Sequence, residues 1–182
     1  MGKVHEHIDE RLRAFIEAQQ LYFVGTAPLE AEGHINVSPK GHRDTFAVPD
    51  SHTVAYLDLT GSGAESIAHI RENGRVLVMF CAFDGPPQIV RLHGQARVVS
   101  PADADWACLA GHFPPRPGVR AVVHVDVQRV SSSCGFAVPL YDYVGDRDLL
   151  HRWAERKTPA EMQEYRLAKN SLSVDGLPAL PH

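Results

Sequence analysis

The stretch Asp58-Leu-Thr-Gly-Ser-Gly-Ala-Glu-Ser-Ile-Ala-His-Ile-Arg-Glu-Asn-Gly-Arg75 joins a strand, a glycine-rich turn and a short helix. Residues 53–59 alternate aromatic and branched side chains, which is typical of a half-buried strand. A helix is predicted over residues 63–72, and Asn73-Gly74 is a typical C-terminal stop. A strand that enters a helix through glycines is a common place for a ligand, so this stretch is a candidate ligand site.

Two interpretations of the turn Thr60-Gly61-Ser62-Gly63 are open. A helix start reached through glycines presents unpaired N–H groups and the positive end of the helix dipole, which suit a phosphate. However, Ser62 and Glu65 have the spacing of a capping box, and the Glu65 carboxylate would lie where the phosphate charge would be. From this stretch alone, a plain capped helix is the favoured interpretation.

Composition indicates an ordinary globular protein. The chain has 182 residues, 44% hydrophobic and 22% charged, which predicts one large domain or a domain with a tail. No run approaches the ~18 apolar residues of a membrane helix, and the N-terminus lacks the apolar stretch of a signal peptide. We therefore expect a cytoplasmic protein without a membrane partner. The formal net charge of -4 and the scattered basic residues give no reason to expect nucleic acid.

The cysteines are odd in number and have no CxxC spacing. Cys81, Cys108 and Cys134 therefore support neither a disulfide framework nor a zinc site, and we expect buried thiols.

Short runs with strand patterning, separated by turn signals, recur along the chain. They lie at residues 21–26, 34–38, 45–48, 53–59, 75–83, 88–99 and 119–130. Pro39-Lys40-Gly41-His42 is expected to break the second run. The continuous apolar run 75–83 predicts a strand buried on both faces. In the last run Arg120 and His124 fall on the polar, outward face. Because most links are short turns, the sheet should be antiparallel and could close into a barrel.

Helical patterning flanks these strands. Helices are predicted at residues 5–19, from Pro101 to about Gly111, at 146–157, and from the capping box Thr158-Pro159-Ala160-Glu161 onward. Residues 131–139 are predicted to be irregular and 177–181 extended. A tail that ends in apolar residues and prolines is expected to lie over the barrel or over a partner subunit.

Several segments together resemble the pyridoxamine 5'-phosphate oxidase-like family of flavin-binding split barrels. They are Asn36-Val-Ser-Pro-Lys-Gly41, the strand-turn-helix 53–74, Arg75-Val76, and Gln88-Ile-Val-Arg-Leu-His-Gly94. The resemblance covers roughly residues 5–130. It implies a mainly β (α+β) fold, a six-stranded antiparallel split β-barrel with flanking helices, in a homodimer that holds FMN at the subunit interface. The barrel would occupy residues 1–130, and 131–182 would form a helical C-terminal tail. Relatives that bind the deazaflavin F420 or haem make these the alternative cofactors.

The resemblance also implies which residues would contact the cofactor. They are Asn36, Val37, Ser38, Lys40 and Gly41 on the second strand, Thr60, Gly61, Ser62, Gly63, Glu65 and Ser66 at the phosphate turn, and Arg91 on a later strand. True pyridoxamine phosphate oxidases carry an Arg-Lys pair in the turn, where this chain has Glu65 and Ser66, and an Arg where it has Ser38. Vitamin oxidase activity is therefore not expected. Lys40, with Arg43 as a further cation, and backbone N–H groups would hold the phosphate.

No other catalytic pattern competes with this interpretation. The sequence has no HExxH, GxSxG, Walker lysine or paired-cysteine metal spacing. The 11 histidines are scattered singly, and His93 and His124, on polar strand faces, are the best candidates for a haem ligand. The sequence thus predicts a flavin-type oxidoreductase acting on a small molecule, because a flavin carries the redox chemistry itself. The alternatives are a haem-binding or haem-degrading barrel, an F420-dependent reductase and a barrel without a cofactor.

Overall fold

The computed structural model describes residues 2–180, in which strands and helices alternate in an α+β arrangement. The strands are β1 (Lys3–His5), β2 (Tyr22–Thr26), β3 (Asn36–Lys40), β4 (Phe46–Ala47), β5 (Thr53–Leu59), β6 (Arg75–Cys81), β7 (Ile89–Val99) and β8 (Val119–Ser133). The helices are α1 (Glu10–Ala18), α2 (Glu65–Asn73), α3 (Trp106–Ala110), α4 (Leu149–Glu155) and α5 (Pro159–Asn170).

All eight strands belong to one antiparallel sheet, which curls into a split barrel. The order is β3-β2-β6-β7-β8-β5-β4, and β1 pairs with the far end of β8. The antiparallel barrel is confirmed, but the count of six strands is wrong. Lys3–His5, which the sequence placed partly in a helix, pairs with Val130–Ser132, and the two-residue β4 adds an edge. β3 and β4 are the two ends of this strand order, so the barrel is split between them.

The barrel interior holds the main apolar core. Its largest buried side chains include Tyr22, Tyr56 and Phe80, with Leu12 and Ile16 of α1 packed against them. The prediction that residues 75–83 are buried on both faces is wrong. Val76, Val78 and Phe80 are buried, whereas on the other face Arg75 is exposed, Leu77 and Met79 are half-buried and only Cys81, at the end of the strand, is buried. β6 therefore lines the barrel with one face only.

Several element boundaries differ from the sequence predictions for local reasons. α1 begins at Glu10 because Asp9 is its N-cap and accepts a hydrogen bond from the N–H of Leu12 at 2.7 Å. β3 runs through Pro39 to Lys40, which an edge strand permits because a proline there need not donate to a neighbour. α3 begins only at Trp106, after turns that follow Pro101.

The beginning of the tail also differs. Ser131–Ser133 are not irregular but continue β8, where they pair with β7 and β1. The capping box at Thr158 and Glu161 is confirmed, with both reciprocal hydrogen bonds present. In the described part of the chain, no helix has both the length and the apolar character needed to cross a membrane.

The end of the tail packs on α2 and on the turn before it. Ala179 is buried in a small cluster with Ala64, Ile67 and Ala68. From α5, the Asn170 amide donates to the carbonyl of Gly61 at 3.0 Å. The tail therefore contacts the glycine-rich turn directly, while the division of the chain at residue 130 stays a prediction.

Candidate functional site

A cleft of about 280 Å³ opens between β3, the end of β5 and the start of α2. Most of the residues that the sequence singled out line it: Val37, Ser38, Lys40, Gly61, Ser62, Gly63, Glu65 and Ser66. Asp58 and Arg120, which the sequence did not single out, line it as well. The strand-two segment and the glycine-rich turn, distant in sequence, thus share one cleft.

A buried cluster of charges forms the base of this cleft. The carboxylate of Asp58, only 1% exposed, receives the ammonium group of Lys40 at 3.3 Å and the Nε of Arg120. Arg120 also donates from Nη1 to the carbonyl of Gly63 at 2.9 Å. Burial alone would raise the pKa of Asp58, but the two cations outweigh it and hold the pKa below its ordinary value. Asp58 therefore stays ionised, and this part of the cleft has an excess of positive charge.

The same cluster holds the split barrel together. Lys40 lies on the edge strand β3, whereas Asp58 and Arg120 lie on β5 and β8, on the other side of the opening. The Lys40–Asp58 pair thus spans the gap between the two halves of the sheet and fixes the width of the cleft.

The start of α2 is not capped by a side chain. Its N-cap residue is Ala64, and no side chain hydrogen-bonds to the first turn, so the capping box predicted at Ser62 and Glu65 is wrong. The helix begins at Glu65, not at Gly63, because the first helical bond runs from the N–H of Ala68 to the carbonyl of Ala64, at 3.0 Å. First-turn N–H groups of α2 are therefore available to an anion.

The Glu65 carboxylate lies directly beside Gly63. A Cβ placed on Gly63 would overlap this carboxylate, whereas a Cβ on Gly61 would meet nothing closer than the Leu59 carbonyl oxygen at 4.0 Å. A bound phosphate would therefore require the half-buried Glu65 side chain to turn away, which the end of a flexible side chain can do at low cost.

A polar network connects β3 with β2 and α2. The Asn36 amide group donates to the hydroxyls of Ser66 at 3.0 Å, Ser38 at 3.2 Å and Thr26 at 3.3 Å. The Thr26 hydroxyl lies 3.0 Å from Nδ1 of His69, whose Nε2 is buried without a partner in the described residues. Burial lowers the pKa of His69, which favours the neutral form of its ring. The predicted Asn36 therefore acts on the cleft by positioning Ser38 and Ser66.

Other predicted residues lie outside the cleft lining. Thr60 is buried below it, where its hydroxyl donates to the carbonyl of Gly118 at 2.8 Å and receives the Nε of Arg166 at 2.9 Å. Gly41 follows Lys40 but does not contribute to the lining. Arg91 lies on β7 and donates to the Ser133 hydroxyl at 3.0 Å. Its assignment to a cofactor stays a prediction.

The sequence missed Arg120 and Arg166, and for different reasons. Arg120 was placed on the outward face of its strand, but its side chain is 5% exposed and turns to Asp58 beside a register shift between β5 and β8. A signal was available, because an acidic residue in the otherwise apolar strand of residues 53–59 requires a buried cation. Arg166 lies in the tail, beyond the reach of the resemblance.

The described histidines and cysteines do not cluster into a metal centre. In residues 2–180, no group of three or more His, Cys, Asp or Glu side chains is placed to hold a metal ion. His93 is exposed on β7, and His124 on β8 is half-buried, 3.8 Å from Asp126. The expectation of three buried thiols is wrong, because only Cys81 is buried while Cys108 and Cys134 are exposed.

A larger cavity, about 650 Å³, lies at the mouth of the barrel. Aromatic rings of Tyr22, Phe46 and Phe80 form its apolar side, with centroids 4.9 to 5.7 Å apart. On its polar side, Nη2 of Arg116 contacts both carboxylate oxygens of Asp44, at 2.5 and 2.7 Å. Tyr22 is also the β-sheet partner of Lys40, so one residue pair of β2 and β3 contributes a side chain to this cavity and a side chain to the cleft.

The chain folds as a split antiparallel barrel in which an uncapped helix start and buried cations offer donors suited to an anionic group. The family described as pyridoxamine 5'-phosphate oxidase matches residues 8–134. The chain belongs to this family, which confirms the resemblance seen in the sequence.

Known proteins with similar sequence or structure support this assignment. The pyridoxamine 5'-phosphate oxidase family protein ustO of Aspergillus flavus is 42% identical, over 97% of this chain and 77% of its own length. The structure of HupZ from Group A Streptococcus matches 68% of this chain and 91% of its own, with a TM-score of 0.51 and 22% identity. A Lactobacillus delbrueckii protein assigned as a pyridoxamine 5'-phosphate oxidase matches 70% of this chain and 98% of its own, with a TM-score of 0.52 and 22% identity. These two structures support the fold, and the family supports a flavin-binding barrel.

Proposed function

We propose that the protein binds FMN, or a flavin closely related to it, and acts as an oxidoreductase on a small molecule. The observation that carries this proposal is the uncapped start of α2 beside the Lys40–Asp58–Arg120 cluster. Free N–H groups, a helix dipole and two cations around one carboxylate form a donor set that fits a phosphate. The residues therefore suit the cofactor, although the family's Arg-Lys pair is replaced by Glu65 and Ser66.

Different groups of the chain would bind different parts of the cofactor. The first turn of α2 and Lys40 would hold the phosphate, with Arg120 fixing the Gly63 carbonyl below it. β3 is an edge strand, so one row of its backbone N–H and C=O groups has no strand partner and can meet the polar edge of a flavin ring. Asn36 would keep Ser38 in place through the 3.2 Å contact. The bound flavin would supply the electron-accepting chemistry, and the protein the orientation and exclusion of water.

The substrate would enter through the cavity at the barrel mouth. Its volume of about 650 Å³ lies within the usual ~300 to 1,000 Å³ of small-molecule sites. An aromatic side and the Arg116–Asp44 pair suit a small molecule with a ring and both donor and acceptor groups. The sheet pair β2–β3 would place this molecule near a flavin held along β3.

We also propose a homodimer. On β3, directly before it and along the tail, large apolar side chains are exposed, among them Ile35, Val37, Phe136, Leu140 and Val144. Monomers rarely leave so many of these uncovered. A second copy that covered β3 would also close the cleft, whose open side faces that strand.

Absorption and fluorescence titration test the proposed cofactor. The purified protein, as isolated and after addition of FMN, should show flavin bands and saturable quenching of flavin fluorescence. FMN should bind at least tenfold tighter than riboflavin, because charge-assisted contacts to a phosphate contribute roughly 1.5 to 3 kcal/mol. Equal affinity for FMN and riboflavin would contradict the phosphate site. A Soret band with no flavin binding would instead favour the haem alternative, and the spectrum of a deazaflavin would favour F420.

A further inference from the structure

A second cleft shares Arg120 with the cofactor cleft. It has a volume of about 320 Å³ and lies between α5 and the start of β8. Arg120 and Arg166 line it together with Ser100 and Gln163, and Leu167 and Leu180 form its apolar wall. No acidic side chain is among its lining residues in the described part of the chain.

The two arginines are close enough to repel each other. Burial lowers the pKa of Arg166, and the charge of Arg120 lowers it further. In the described part of the chain, Asp58 pairs with Arg120 and Lys40 but not with Arg166. Arg166 therefore lies beside a second cation without a carboxylate partner of its own, an arrangement that an additional anion would stabilise.

Both guanidinium groups keep donors for such an anion. Arg120 uses Nε for Asp58 and Nη1 for the Gly63 carbonyl. Arg166 uses Nε for the Thr60 hydroxyl and Nη2 for the Val119 carbonyl, each at 2.9 Å. Nη2 of Arg120 and Nη1 of Arg166 have no hydrogen-bond partner among residues 2–180. Two fixed and partly unused guanidinium groups are well suited to a phosphate.

We propose that this second cleft binds the second phosphate of a flavin dinucleotide. The proposal rests on the proposed function, since the first phosphate would lie at the start of α2. Arg120 contributes to both clefts, so its guanidinium group would contact both phosphates of one diphosphate. The apolar wall of Leu167 and Leu180 would then face the nucleoside attached to the second phosphate. The tail helix α5 would thus select a dinucleotide over a mononucleotide.

Titrations with FMN and with the dinucleotide FAD test this proposal. FAD should bind at least tenfold tighter than FMN to the full chain. Arg166→Gln should abolish that preference, because it should weaken FAD at least tenfold more than it weakens FMN. Lys169→Gln is the matched control, because Lys169 is an exposed cation on the same helix. It should retain the full preference for FAD.

A second variant keeps the test valid if Arg166→Gln does not fold. Gln163 is exposed at the rim of the cleft, so Gln163→Glu should fold normally while it introduces a negative charge. It should weaken FAD at least fivefold and leave FMN unchanged. Thermal unfolding of every variant confirms the folded state.

The outcomes separate this proposal from the proposed function. If FMN binds and FAD binds no tighter, the dinucleotide site is refuted while the flavin function stands. If neither flavin binds, the flavin function is refuted. Calorimetry with ADP then tests by itself whether the second cleft binds a nucleotide phosphate. ADP binding that is lost in Arg166→Gln but kept in Lys169→Gln would support the site, and absence of ADP binding would overturn it.

Discussion

The ion pair between Asp58 and Arg120 should be strongly coupled, and a double-mutant cycle measures this coupling. The two side chains are 1% and 5% exposed, so removal of either partner leaves the other charge buried. Asp58→Asn and Arg120→Met should therefore each lower the free energy of unfolding by about 3 to 5 kcal/mol. The double variant should lose less than the sum, with a coupling energy of about 2 kcal/mol, because it removes both buried charges of the pair.

Urea unfolding followed by circular dichroism gives the four free energies of this cycle. The control pair is Arg97 and Asp105, which are 2.9 Å apart but 48% and 58% exposed. Solvent screens this pair, so the cycle of Arg97→Met and Asp105→Asn should give a coupling of at most about 0.5 kcal/mol. Equal coupling energies in the two cycles would refute the reasoning that burial strengthens the Asp58–Arg120 pair and that this pair stabilises the cleft.

The same geometry leads to four further predictions. The folded-state pKa of Asp58 lies below its ordinary value, so ionised Asp58 stabilises the fold fully above about pH 5. This stabilisation is lost as the pH falls through about 3.9 towards the folded-state pKa. Urea unfolding at graded pH should show this loss of stability in acid, and Asp58→Asn should reduce it. Lys40→Ala should weaken FMN about tenfold by fluorescence titration, and unchanged affinity would place the phosphate elsewhere. Gly61→Ala should keep the melting temperature within a few degrees but weaken FMN, because its Cβ enters open space in the cleft; full FMN binding would show that this glycine serves only the turn. Light scattering at micromolar concentration should give the mass of a dimer, with a buried interface above the ~1,200 to 2,000 Å² of standard size, and a monomer mass would contradict the proposed homodimer.

Much of the barrel could be predicted from sequence because its strands alternate regularly. The run at 88–99 became β7 almost residue for residue, with Val90, Leu92 and Ala96 buried as their spacing predicts. The helix stop at Asn73-Gly74 also followed from local chemistry, since Gly74 adopts a left-handed conformation with φ 71°. Such signals depend only on residues that are close together in the sequence.

The missing elements depend on distant partners. β1 consists of Lys3–His5, three residues without apolar alternation, and it exists because the long β8 offers Val130–Ser132 as a partner. Likewise, the capping box at Ser62 and Glu65 has the correct spacing but does not form, since the Glu65 carboxylate turns towards Gly63 instead. Spacing predicts that a cap is possible, whereas the tertiary environment decides whether the cap forms.

The positive charge of the candidate site does not come from the glycine-rich turn itself. Residues 60–66 include no basic side chain, and Glu65 adds a negative charge. Arg120 from β8 and Arg166 from α5 now lie against the turn, through the Gly63 carbonyl at 2.9 Å and the Thr60 hydroxyl at 2.9 Å. Arg120 and Arg166 contact the turn from below, so they leave the first-turn N–H groups of α2 uncovered. Basic side chains within the turn itself would cover these N–H groups. Positive charge at this position therefore depends on the tail, so a chain shortened before α5 should keep the barrel strands but lose part of its attraction for a phosphate.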